Sequence, residues 1–160
     1  MWHYLETMRE IFPNILIFLF FVSFNPITSN GNRNNTNDSM LIWRYDCNTN
    51  KIQKIKKVNS DTMTWKSVVS IVNCVYQNRV HLDYVGISHD TIIVKIKESE
   101  YLTEQMGTCG ADEFMISTTF SLTELKDIHF VTFDFDIGDH ASPGTYSRMY
   151  YFERIKKSKK

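Results

Sequence analysis

The stretch that decides the fold runs from Met106 to Gly138 and reads MGTCGADEFMISTTFSLTELKDIHFVTFDFDIG. After a glycine-rich opening, apolar side chains recur every three or four residues, which predicts one buried face of an α-helix. That face consists of Ala111, Phe114, Met115, Thr118, Leu122 and Leu125. We predict Thr108 as the N-cap of this helix, because a threonine hydroxyl accepts hydrogen bonds from the first unpaired amides.

A turn at Lys126-Asp127 ends the helical pattern, and the period then changes to two, which predicts a strand with one buried face. The inward side chains are expected to be Val131, Phe133, Phe135 and Ile137. The expected core joins this strand to its helix through Phe114, Met115, Leu122, Val131, Phe133 and Phe135. Val68, Val69 and Val72 from an earlier helical pattern are expected to pack against them.

Two glycines, Gly107 and Gly110, flank Thr108 and Cys109 where the chain must turn into the helix. Glycine reaches positive φ without a steric cost, so we predict positive φ for at least one of them. A structural turn explains the pair better than an anion cradle does, because the stretch lacks the lysine and the length of a P-loop.

The remaining pattern predicts a small α+β domain over residues 40–146, with two helices packed on a mainly antiparallel sheet. The other predicted elements are strands near 41–47, 51–58, 80–87 and 91–97, and a helix capped within 60–62 that ends near 78. Residues 147–160 are expected to add a last strand or to form a basic C-terminal tail.

The N-terminal segment, residues 1–29, is interpreted as a signal peptide or a membrane anchor. Its apolar run, Ile15–Val22, is shorter than the roughly 20 residues of a spanning helix and fits the centre of a signal peptide. A buried strand is the remaining alternative for this run. Residues 30–39 are rich in asparagine and predict a disordered linker.

Charge and cysteine content narrow the function classes. The chain has 18 basic and 18 acidic residues, so a nucleic-acid partner is not indicated. Its three cysteines, Cys47, Cys74 and Cys109, lack the C-x-x-C spacing typical of zinc sites. At least one thiol stays unpaired in a monomer, and the sequence leaves open whether any two pair. Cys109 is interpreted as a small residue in a turn, although a thiol at a helix start can be a nucleophile.

One candidate cation site stands out, formed by Asp134, Asp136, Asp139 and His140. Asp134 and Asp136 would share a strand face, and carboxylate oxygens are the ligands that hard cations prefer. The simpler interpretation is that they are solvated positions on a one-faced strand, followed by a turn. We therefore predict no catalytic residue, no cofactor and no bound metal. A small metal-dependent hydrolase that uses Asp134, Asp136 and His140 is the rival hypothesis.

The stretch from Met106 to Gly138 resembles the second half of the GerMN domain. The resemblance is carried by the Met-Gly-Thr-x-Gly-Ala opening, the Ser-Leu-Thr-Glu-Leu end of the helix, and the Val-x-Phe-x-Phe-(acidic)-x-Gly strand. Ser121 departs from the family pattern, which has threonine there. The resemblance implies an α+β domain related to ring-building modules of envelope complexes in Gram-positive bacteria, including sporulation and germination proteins. It implies no catalytic residues.

The function expected from these observations is that of a non-enzymatic, exported module of the cell envelope. Its expected partners are envelope or sporulation proteins or a second copy of the chain. The N-terminal segment is expected to place it outside the cytoplasm or on the outer face of the cytoplasmic membrane. A second rival is a module that binds wall glycans through aromatic rings, with Trp43, Tyr45 and Tyr84 as the candidates.

Overall fold

The computed structural model describes residues 40–77 and 79–158, which all belong to one compact unit that spans 34–160. The predicted signal or anchor segment and the predicted linker, 1–29 and 30–39, lie outside the described residues. The elements in chain order are β1 (Trp43–Asp46), β2 (Lys51–Lys54), α1 (Trp65–Val75), β3 (Asp83–Ser88), β4 (Thr91–Lys95), a π-helical turn (Tyr101–Gln105), α2 (Gly107–Leu122), β5 (Phe130–Asp134), β6 (Gly144–Ser147) and α3 (Arg148–Ser158). The fold is therefore α+β.

Four strands form one mixed sheet in the order β3-β4-β5-β6, and β1 and β2 form a separate hairpin. Strands β4 and β5 run parallel, whereas the other neighbouring pairs are antiparallel. Parallel neighbours need a long crossover, and here the π-helical turn and α2 supply it. The register sets Val94 beside Phe133 and so aligns the inward side chains of the central strands.

Helix α2 is the centre of the domain and contacts β1, α1, α3, β5 and β6. The predicted apolar face is buried, with Phe114 and Leu122 at 0% exposure. The helix is buried well beyond that face, because Ser117, Thr119 and Ser121 are also covered. The hairpin lies over this polar side, which the spacing of apolar residues did not indicate.

Two predicted helix caps are wrong. Helix α1 is capped by Thr64, not within 60–62, and Ser67 completes a capping box. Helix α2 begins at Gly107 without a side-chain cap, and the hydroxyl of Thr108 lies 3.2 Å from His140 Nδ1. Thr108 falls inside the helix because the preceding π-helical turn ends directly against it.

Ile137 does not face the core, as the alternating pattern predicted. Strand β5 ends at Asp134, and the side chain of Ile137 is 74% exposed. Phe135 is buried beyond the end of the strand. The alternation therefore predicts the inward positions only as far as the chain remains close to the sheet.

The residues that were expected to form a basic tail belong to the folded domain as far as Ser158. Residues 144–147 add strand β6 to the sheet, and residues 148–158 form α3, so the domain has three helices and not two. Tyr151 anchors α3, because its side chain is only 1% exposed and its ring stacks on Tyr146 at 5.5 Å between centroids. Lys156 and Lys157 lie in the last turn, where the helix dipole favours cations.

Gly107 has a φ of +70°, whereas Gly110 lies outside the positive-φ region. We predict that Gly107→Ala destabilises the domain by about 1–2 kcal/mol, the cost of left-handed backbone for a residue with a Cβ. An added Cβ meets nothing within 4 Å, so the cost comes from the backbone alone. Urea unfolding measures it, with Gly86→Ala as the control.

Gly86 has equal space around an added Cβ and no positive φ, so only the backbone conformation distinguishes the two sites. Equal unfolding free energies for the two variants would show that the turn does not require glycine at position 107.

Candidate functional site

Strand β1 lies along α2, and side chains of the helix accept hydrogen bonds from backbone amides of the strand and of the residue that follows it. Three bonds of 3.3, 2.9 and 3.2 Å run from Trp43 to Ser121, from Tyr45 to Ser117 and from Cys47 to Glu113. Four residues of helix rise about 6.0 Å and two residues of strand rise about 6.7 Å. Each second amide along the strand side therefore lies opposite each fourth side chain of α2. We call this set of bonds the β1–α2 ladder.

A disulfide between Cys47 and Cys109 continues the ladder by one more helical turn. The two Cα atoms are 5.6 Å apart, and 62 residues separate the cysteines in sequence. Cys74 is unpaired and exposed on α1. The pairing that the sequence left open is thus Cys47 with Cys109, and the interpretation of Cys109 as a mere turn residue is wrong.

Glu124, just beyond α2, collects hydrogen-bond donors from three separate elements. Its carboxylate accepts bonds from Trp43 Nε1 at 2.8 Å, Lys54 Nζ at 2.6 Å and an Arg148 Nη at 2.7 Å. Burial raises the pKa of Glu124, but these hydrogen bonds outweigh it and lower the pKa to about 2. Arg148 also donates to the Phe120 carbonyl oxygen, and its guanidinium lies 5.0 Å from the Trp43 ring centroid. We call Glu124 with these three donors the Glu124 cluster.

The Glu124 cluster should make stability depend on acid pH. A lowered folded-state pKa means that the stabilisation is complete above the unfolded pKa of 4.5 and is lost as pH falls towards about 2. Glu124→Gln should therefore destabilise the domain by about 1–2 kcal/mol at pH 7, a value reduced for the partial exposure of Lys54 and Arg148. Denaturant unfolding of both proteins at pH 7 and pH 3 measures the difference.

The difference in unfolding free energy between wild type and Glu124→Gln should be smaller at pH 3 than at pH 7. It should disappear as the wild-type carboxyl becomes protonated. Glu153→Gln is the control, because Glu153 is an exposed glutamate of α3 and its substitution removes the same charge. The same difference in unfolding free energy at the two pH values would contradict the lowered pKa of Glu124.

Arg148 also fixes the start of α3 beside an exposed apolar surface. Phe130, Met149 and Phe152 are 39%, 67% and 51% exposed, although all three are large apolar side chains. They line a groove of about 520 Å³ with Arg148 and Ile128. The rings of Phe152 and Phe120 meet edge to face at 5.3 Å, which holds Phe152 in place. We call Phe130, Met149 and Phe152 the α3 patch.

The four candidate cation ligands of the sequence are not brought together. Asp134 pairs with Lys95 at 3.0 Å, and the Asp139 amide donates to Glu104. His140 lies beside Thr108, and Asp136 is exposed. Within residues 40–77 and 79–157, the one group of three or more metal-ligating side chains is instead Cys47, Cys109 and Glu113. The proposed ligand set Asp134, Asp136 and His140 is therefore not formed.

The three aromatic residues considered for glycan stacking already have partners. Arg148 and Lys54 both lie over the Trp43 ring, and Tyr45 is 4% exposed. Tyr84 stacks on Trp65 with 3.8 Å between centroids.

The sequence analysis missed the Glu124 cluster and the α3 patch. Residues of the cluster come from positions up to 105 apart, Trp43 to Arg148 (148 − 43), so no local spacing connects them. After Ser147 the aromatic residues at 150–152 are followed by basic residues at 154, 156 and 157, and this pattern gave too little periodicity to predict α3.

None of the helices in the described part of the chain is both long and apolar enough to cross a membrane. Comparison of the chain with family models, with curated proteins and with solved structures finds no match.

Proposed function

We propose that this protein is an exported, non-enzymatic module of the cell envelope that binds another protein through the α3 patch. The observation that carries the proposal is the disulfide between Cys47 and Cys109, because disulfides persist in oxidising compartments and are rare in the cytosol. The apolar run Ile15–Val22 supports export on independent grounds, since it has the length of a signal-peptide centre.

The composition of the α3 patch supports its role as an interface. Phenylalanine, methionine and arginine are enriched in the centres of protein interfaces, and Phe152, Met149 and Arg148 occur together here. The Glu124 cluster holds Arg148 in place before any partner arrives. A surface that is ordered in advance loses less conformational entropy on binding, and this favours affinity.

We further propose that the domain is related to GerMN and ring-building modules, and that its partner is an envelope or sporulation protein or a second copy. The support is that the stretch carrying the resemblance folds as a helix, a turn and a buried strand at the centre of an α+β domain. The partner class rests on that resemblance.

Export can be tested through Cys74, which is exposed and unpaired. Intact cells that produce the full chain are treated with a small membrane-impermeant maleimide, and the labelled protein is detected on a gel. We expect labelling of the wild type before lysis and none of Cys74→Ser. Labelling that appears only after lysis would refute export.

Binding through the patch can be tested by photo-crosslinking from Met149 in the same cells. Ile137 is the matched control position, because it is 74% exposed and lies outside the patch. We expect a discrete adduct from position 149 that Phe152→Asp abolishes, and none from position 137. Equal yields from the two positions would refute the assignment of the interface.

A further inference from the structure

We propose that Cys47, Cys109 and Glu113 bind one Zn²⁺ ion when the disulfide is reduced, so that the disulfide controls access to a metal site. The two sulfur atoms and a carboxylate oxygen of Glu113 all lie within 4.8 Å of one another. Zinc binds thiolate sulfur at about 2.3 Å and carboxylate oxygen at about 2.1 Å. In a tetrahedral site the ligand atoms are then about 3.5–3.8 Å apart, which this group can reach with small movements.

The ligands come from two elements that face each other. Cys109 and Glu113 are four residues apart on α2, which places both side chains on one face of the helix. Cys47 follows the end of β1 and reaches the same face from the hairpin. The amide of Cys47 already donates to Glu113 Oε1 at 3.2 Å, so the carboxylate lies beside both cysteines.

Reduction need not release the hairpin, because other contacts hold it on α2. The amides of Trp43 and Tyr45 keep their bonds to Ser121 and Ser117. Leu41 and Ile42, just before β1, are each 1% exposed and belong to the core. The two thiols therefore stay side by side after reduction. Because the fold already holds the ligands together, a bound ion has to order little of the chain.

The redox step is an ordinary thiol–disulfide exchange. A dithiol reductant supplies two electrons and two protons, becomes a disulfide itself, and leaves two thiols on Cys47 and Cys109. Zinc then replaces both thiol protons, and the two thiolates neutralise its double positive charge. The Glu113 carboxylate is the third ligand and gives the occupied site one net negative charge. Cys109 is exposed, so solvent can fill the fourth tetrahedral position. Thiolate ligands favour zinc over calcium or magnesium, which prefer oxygen.

Cobalt is the probe, because Co²⁺ substitutes for Zn²⁺ and reports thiolate ligands by charge-transfer absorption. The full chain is reduced with a phosphine, separated from it without oxygen, and titrated with Co²⁺ and then with competing Zn²⁺. We expect one Co²⁺ per reduced chain, displacement by Zn²⁺, and no absorption from the disulfide form. Zn²⁺ should also raise the melting temperature of the reduced chain alone.

Three variants locate the site. Cys74→Ser should bind Co²⁺ like the wild type, and Cys109→Ser should lose the one-to-one thiolate band. Glu113→Gln should weaken binding at least about tenfold, and it keeps an oxygen that can accept the Cys47 amide. If Cys109→Ser fails to fold, the other two variants still decide the outcome. Absence of binding by the reduced chain, a band that requires Cys74, or unchanged affinity in Glu113→Gln would each overturn the proposal.

Discussion

Phe133→Ala is expected to lower the free energy of unfolding by about 3–5 kcal/mol, the usual cost of emptying a buried phenylalanine site. The ring is 1% exposed and points from β5 into the core, where Val94 lies beside it on β4. Tyr146 on β6 meets the ring edge to face at 6.0 Å. Three neighbouring strands would therefore line the cavity, and their rigid register limits its collapse. Urea unfolding monitored by circular dichroism measures the loss.

Ile137→Ala is the matched control for this experiment. Its side chain continues the same alternation in sequence, yet it is 74% exposed. A surface truncation of this kind should change stability by no more than about 0.5 kcal/mol. Similar losses in the two variants would mean that the face of β5 has been assigned incorrectly.

Cys109→Ser is expected to cost about 4 kcal/mol under oxidising conditions. The disulfide closes a loop of 62 residues, and in the chain-entropy description a link over this length restricts the unfolded chain by about that amount. The interpretation of Cys109 as a small residue in a turn implies that Cys109→Ser leaves the fold nearly intact, and the observed pairing reverses that expectation. Denaturant unfolding without reductant compares the variant with the wild type.

Reductant supplies the internal control, because it should bring the wild type close to Cys109→Ser without altering the variant. Cys74→Ser should match the wild type in both conditions, since Cys74 takes no part in the bridge. A wild type that unfolds at the same denaturant concentration with and without reductant would refute the stabilising role of the disulfide.

Periodicity predicted the parts of the fold in which one face of an element is apolar. The buried positions of α2 and β5, among them Phe114 and Phe133, follow from spacings of 3.6 and two. Periodicity did not predict that the polar side of α2 is buried as well. Ser117 and Ser121 are covered because a strand uses them as hydrogen-bond acceptors, and a serine in a sequence does not show what it accepts.

Long-range pairing explains most of what the sequence analysis missed at the candidate sites. Glu124 and Arg148 look like ordinary surface residues until the fold brings them to Trp43. Cys47 and Glu113 are 66 residues apart and have no spacing that marks a metal site. The acidic cluster that did have suggestive spacing, Asp134 to Asp139, was local, and adjacency in sequence did not bring its carboxylates together.

The β1–α2 ladder also determines the order in which the chain can fold. The backbone amides of Tyr45 and Trp43 donate to serine side chains 72 and 78 residues further on in the sequence. Because the chain is synthesised from its N-terminus, these bonds can form only after α2 has been made. Cys47 therefore meets the thiol of Cys74, 27 residues away (74 − 47), before Cys109 has been made. A bridge between Cys47 and Cys74 becomes the native pair when the Cys109 thiolate attacks the sulfur of Cys47 and the thiolate of Cys74 leaves.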